Sequence, residues 1–97
     1  MKENEYQQHV IKQIKRAVPG CVVLKNDANY IQGMLDLAVI FCGRIVMVEV
    51  KVSEKSKYQP NQKYYLDYFN NTKTLAFVIY PENEEEVLLA IQQSLAG

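Results

Sequence analysis

The chain has 97 residues, 48% of them hydrophobic and 23% charged, with 11 basic and 11 acidic side chains and a formal net charge of zero. That composition excludes a disordered chain, and the length leaves room for one core, so a single domain over 1–97 is expected. The zero is segregated: residues 1–73 hold every Lys and Arg against 7 of the 11 acids, a surplus of four, so one basic surface is permitted on a neutral protein.

The opening MKENEYQQH has no apolar core of a signal peptide, and no apolar run approaches the roughly 20 residues of a membrane span. A cytoplasmic protein without a membrane partner is the expectation. From about Asn4 to Val18, Tyr6, Val10, Ile14 and Val18 recur every four residues, and Pro19-Gly20 follows. This spacing predicts an amphipathic helix, whose other face aligns Glu5, His9, Lys12 and Arg16 as a solvent-facing stripe. Cys21–Lys25 reads as a short strand and Asn26–Gly33 as a polar connection, with Gly33 free to take a backbone conformation closed to other residues. Cys21 and Cys42 lie in apolar runs with no CxxC spacing and are read as buried free thiols in a reducing compartment.

Two apolar runs, 35–42 and 44–52, flank Cys42-Gly43, the pattern of a hairpin. After it, SEKSKYQ reads as a mobile basic loop, and Pro60 suits the first turn of a helix reaching Asn70-Asn71. Tyr65, Leu66 and Phe69 of that helix are assigned to the core, Tyr64 and Tyr68 to a second, exposed stripe that favours a partner. Leu75–Tyr80 reads as a strand covered on both faces. A closing helix begins near Asn83, with Glu86 completing a capping-box pattern and Val87, Leu88, Ile91 and Leu95 facing inward. The predicted order is αβββαβα, an α/β sandwich with a mixed sheet flanked by helices.

Within the hairpin, Val46, Val48, Val50 and Val52 take one face, and Ile45, Met47, Glu49 and Lys51 the other. With Cys42-Gly43 as the loop, Asp36 falls opposite Glu49. With Gly43-Arg44 as the loop, it falls opposite Lys51 and diagonal to Glu49. Both registers put Asp36, Glu49 and Lys51 on one face, whereas a three-residue loop separates them. Carboxylates starting about 5 Å apart at Cβ repel unless a cation lies between them, so the arrangement outlines a metal site. Glu49 and Lys51 alone also suit the solvated face of a half-buried edge strand.

The element order, with D-x12-E-x-K across two strands, resembles the PD-(D/E)xK nuclease superfamily and its restriction-endonuclease-like sandwich. Four features resemble the virus-type replication-repair nuclease (VRR-NUC) family: Glu5 on the first helix, Gly33-Met34-Leu35-Asp36-Leu37, Glu49-Val50-Lys51, and Pro60-Asn61-Gln62 opening the next helix. The match spans nearly the whole chain. It departs at Leu35, where the family usually has Pro.

The resemblance implies a Mg²⁺- or Mn²⁺-dependent phosphodiesterase. Asp36 and Glu49 would be metal ligands, joined by the main-chain carbonyl of Val50 and by Glu5, directly or through water, with Glu3 as the rival for the helix position. Lys51 would orient the attacking water and offset phosphoryl charge, and Gln62 would position Lys51 or the water. Stand-alone members resemble resolvases that dimerise and cut branched DNA, so a homodimer acting on four-way junctions is expected. A nuclease for flaps or non-specific DNA, and a non-catalytic nucleic-acid-binding module, are the rivals.

Overall fold

A computed structural model describes residues 2–96. The elements are α1 (Glu3–Ala17), β1 (Val22–Lys25), β2 (Leu37–Phe41), β3 (Arg44–Val50), α2 (Gln62–Asn70), β4 (Ala76–Ile79), a 3₁₀ turn (Pro81–Asn83) and α3 (Glu84–Ala96). The order is the expected αβββαβα. The sheet runs β1-β2-β3-β4, antiparallel except for the parallel β3/β4 pair, which the α2 crossover makes possible.

The two faces of the sheet bury different sets of side chains. Leu37, Val39, Val46, Val48 and Val50 meet Tyr6, Val10 and Ile14 of α1 and Val87, Ile91 and Leu95 of α3. Met47 and Ala76 on the opposite face join Leu35 beneath Tyr65, Leu66 and Phe69 of α2. Leu35 is fully buried there, so the residue replacing the family's Pro serves as a core side chain. The nine-residue α2 packs against β4 and leaves the far end of this face bare. Leu24 pairs with Ala38, which pairs with Met47, and Ile40 pairs with Ile45, so all five share the α2 side. Leu24 and Ile45 remain about half exposed, at 48% and 46%.

The hairpin turn decides the register. Cys42 and Gly43 have φ of 50° and 78°, the positive values that a tight type I′ turn demands at both central positions. Phe41 accordingly pairs with Arg44 and Leu37 with Val48, which sets Asp36 opposite Glu49.

Three expectations need correction. Cys42 is exposed and Cys21 only partly buried, because a turn tip projects into solvent whatever its neighbours' hydropathy; both are free thiols. The helix after Pro60 starts at Gln62, since Asn61 adopts a left-handed φ of 71° that interrupts a helical run. Asn83 does not cap α3 with its side chain. Its carbonyl oxygen accepts the Tyr80 N–H (2.9 Å) and its amide donates to the Val78 carbonyl (3.0 Å), fastening the 3₁₀ turn to the end of β4. Among the described residues no helix is long and apolar enough to cross a membrane.

Candidate active site

The site forms where β2 begins and β3 ends. Asn26 holds the approach to β2 by donating its N–H to the Asp36 carbonyl and its side-chain amide to the Leu35 carbonyl, each at 2.8 Å. Asp36 then exchanges contacts with β3: its N–H donates to Glu49 Oε1 (3.1 Å), and its Oδ2 accepts the Val50 N–H (2.8 Å). The two acids thus lie against each other's strand, as the two-residue loop dictates. The Lys51 N–H continues the β3/β4 ladder to the Ile79 carbonyl (2.9 Å), fixing the residue two beyond Glu49 on the same face.

Glu49, Lys51 and Gln62 are buried polar residues, at 1%, 4% and 5% exposure, and they bind one another. Lys51 Nζ lies 3.1 Å from Glu49 Oε2 and donates to Gln62 Oε1 (2.9 Å) and to the Lys57 carbonyl (3.1 Å). Gln62 Nε2 donates to Glu49 Oε2 (2.5 Å), and its Oε1 also accepts the Gln59 N–H (2.8 Å). The Gln62 amide therefore bridges acid and ammonium, with its orientation set from both ends. The basic loop that was expected to be mobile is anchored at Lys57 by the ammonium itself. Tyr58 adds its ring, 5.2 Å from Lys51 Nζ.

This network is short of positive charge. Burial, then the neighbouring Asp36 charge, pushes the Glu49 carboxyl up to about 7 despite the Lys51 ammonium. Burial also raises Asp36, against the pull of the Val50 N–H and of Lys51. With the Lys51 ammonium alone in contact and Lys25 acting on Asp36 from farther off, the two carboxylates leave a site that gains from a proton or a further cation. The donors are hard oxygens, which suit Mg²⁺ or Mn²⁺ rather than a thiolate-seeking metal. Among the described residues no group of three or more His, Cys, Asp or Glu is assembled to hold an ion. A hexacoordinate ion on two carboxylates would complete its shell with main-chain oxygen and water.

Asp36, Glu49, Lys51 and Gln62 line one cavity of about 640 Å³, together with Glu3, Gly33, Lys57 and Gln59. Glu5 is not among the lining residues, although it and Glu3 are both exposed. The helix explains why. Glu3 and Val10 are seven residues apart, close to two full turns, so Glu3 shares the inward stripe, whereas Glu5 is roughly 140° from Val10 around the axis. The carboxylate of α1 at this cavity is therefore Glu3. That seven-residue spacing was readable in the sequence. The roles of Lys57 and Gln59 were not, because both act through main-chain groups that carry no residue signature.

Tyr6 and His9 tie α1 to α3: the Tyr6 hydroxyl donates to Glu84 Oε1, and His9 Nε2 pairs with Glu84 Oε2, both at 2.9 Å. Burial, reinforced by Glu84, raises the Tyr6 phenol well above its ordinary value, so it stays a donor. His9 is thus a strut rather than part of a bare solvent stripe.

Neither a scan against protein-family models nor a search of curated proteins finds a match. A solved structure described as a "VRR_NUC domain" is similar to this chain over 91% of its length and 94% of that structure's own, with a TM-score of 0.74 and 27% sequence identity. The fold of this chain is therefore that of a VRR_NUC nuclease domain, as its motifs lead one to expect.

Proposed function

We propose that this protein is a divalent-metal-dependent DNA endonuclease that cleaves branched DNA, four-way junctions above all, as a homodimer. The observation that carries the reading is the buried Glu49 set against the half-buried Asp36, with the Lys51 ammonium beside them, in an open cavity. Placing like charges side by side away from water destabilises a fold, and a bound cation would relieve that cost while both carboxylates stay ionised. Asp36, Glu49 and the Val50 carbonyl would hold Mg²⁺ or Mn²⁺, with Glu3 of α1 in reach through water. When bound, the ion supplies Lewis-acid activation of water and neutralises charge on the phosphoryl group.

The remaining work falls to the chain's own side chains. Lys51, held by three oxygens, would turn one N–H from them to the water or to a non-bridging phosphate oxygen, where charge develops at the transition state. Gln62 fixes the distance between that ammonium and Glu49. A non-catalytic module has no use for this network.

Branched DNA and dimerisation are supported by two further observations. The basic surplus lies in residues 1–73, which also carry the cavity. The bare apolar end of the sheet, with Leu24, Ile40 and Ile45, offers a self-complementary face for a two-fold contact, and two sites related by that axis would match two strands of a junction. The test is cleavage of four-way junction, flap, linear duplex and single-stranded DNA in Mg²⁺, Mn²⁺ or EDTA. Metal-dependent cutting that favours the branched substrates is expected. Equal rates on linear duplex would replace the junction reading with a non-specific nuclease, and no cutting in either metal would overturn the enzyme.

A further inference from the structure

We propose that the loop Lys57–Asn61 and the outer face of α2 form a track for unpaired nucleotides of the cleaved strand, with phosphates on Lys57 and Lys63 and bases on Tyr64 and Tyr68. The inference rests on the nuclease reading and, among branched substrates, favours those that offer unpaired bases beside the scissile phosphate.

A second cavity, of about 600 Å³, is lined by Lys57, Tyr58, Gln59, Asn61, Lys63 and Tyr64. It shares Lys57 and Gln59 with the carboxylate cavity, so the two are adjacent. The Tyr58 ring spans them, 5.2 Å from Lys51 Nζ on the catalytic side and 5.7 Å from Lys63 Nζ on the other. A strand leaving Lys51 therefore meets further ammonium groups. No acid occurs between Lys55 and Asp67, which leaves the Lys57–Tyr64 part of the track complementary to phosphate, while the exposed Asp67 adjoins Tyr68.

The aromatic part is built in a fixed orientation. Tyr64 and Tyr68 are exposed at 63% and 52%, one helical turn apart, with near-parallel rings at 6.4 Å and 21°. Each is held edge-on from below, Tyr64 by Tyr65 (5.1 Å, 84°) and Tyr68 by Phe69 (5.4 Å, 79°). Tyr65 and Phe69 are in turn packed on the core beneath α2. The exposed rings are thus presented with little freedom left to lose on stacking. A paired base hides both its faces in the duplex, so only an unpaired one can stack here, and stacking tolerates any sequence. A second copy of this chain is the poorer occupant, because a two-fold contact on α2 would bring like-charged Lys57 and Lys63 together.

The test compares wild type with Tyr64→Ala/Tyr68→Ala on two DNA substrates sharing one cleavage position, one with an unpaired flap and one fully paired, alongside anisotropy with a labelled single-stranded oligonucleotide. Loss of both rings should weaken oligonucleotide binding at least tenfold and lower the flap-to-duplex cleavage ratio by a similar factor, since each stacked base contributes roughly tenfold or more. Tyr64→Trp/Tyr68→Trp should restore both, and Lys63→Ala should lower the salt slope of binding by about one contact. A change under twofold in both readouts overturns the track. So does an equal loss on both substrates, or a variant that changes the sedimentation of the free protein, which would make this face a self-interface. Absence of any metal-dependent cleavage by wild type would count against the nuclease reading alone, because the binding arm reads the track without catalysis.

Discussion

Lys51 shows most sharply how burial turns an ordinary side chain into a reagent. At 4% exposure its ammonium has exchanged water for Glu49, Gln62 and the Lys57 carbonyl, so its position is set before any substrate arrives. Lys51→Ala should lower the cleavage rate by about 10³, equivalent to roughly 4 kcal/mol of transition-state stabilisation. Calorimetric titration with Mn²⁺ at pH 8 should find affinity within about threefold of wild type, because the ammonium is not a ligand; a large loss of metal binding would contradict the role. Glu49 makes a prediction about pH. Its folded carboxyl titrates at about 7, above the ordinary 4.5, so the native state holds a proton the unfolded chain has released, and stability falls as pH rises between those values. Without metal, the melting temperature should drop from pH 5 to pH 8, and Glu49→Gln should flatten the slope. A wild-type curve rising across this interval would contradict the buried, under-neutralised pair. At this scale the sequence was informative where a residue acts through its side chain on a regular element: Asp36, Glu49, Lys51 and Gln62 all meet. On α1 the motif points to Glu5, while helical spacing and the cavity lining favour its rival Glu3.

Among the elements, the contact between two turns matters most. Gly33 has φ of +87°, and a β-carbon there would sit on the Pro60 carbonyl oxygen and, at 2.5 Å, on Asn61 Cβ. The turn that delivers Asp36 is therefore seated directly on the turn that delivers Gln62. Gly33→Ala should cost at least about 2 kcal/mol, from the left-handed backbone and the forced separation together, and should lower activity further by parting Gln62 from Glu49. Urea unfolding reads the first effect, and a loss below 0.5 kcal/mol would show that the two turns move apart freely. The hairpin, by contrast, was legible from its alternation and Cys42-Gly43, down to a choice of two registers that the positive φ of Cys42 and Gly43 settles. The start of α2 was not, because the left-handed Asn61 depends on Gly33 packing beneath it, a contact 28 positions away in the chain.

For the whole molecule, the short α2 leaves Leu24 and Ile45 on its side of the sheet about half exposed, which no local pattern in the sequence reveals. Coverage depends on where a helix comes to rest as well as on its composition. If that face is the dimer contact, Ile45→Glu should convert a micromolar dimer to a monomer in sedimentation without unfolding it, since Ile45 is already 46% exposed. A wild type that sediments as a monomer at that concentration would remove the proposed contact. The central claim, that Asp36 and Glu49 exist to hold a catalytic cation, is tested most directly by one comparison. Cleavage of a four-way junction in Mn²⁺ is measured for wild type and Asp36→Asn, each checked for an intact fold by its melting curve. The account predicts metal-dependent cutting by wild type and a loss of at least about 10³ in the folded variant. A folded Asp36→Asn protein that cuts at close to the wild-type rate would contradict it.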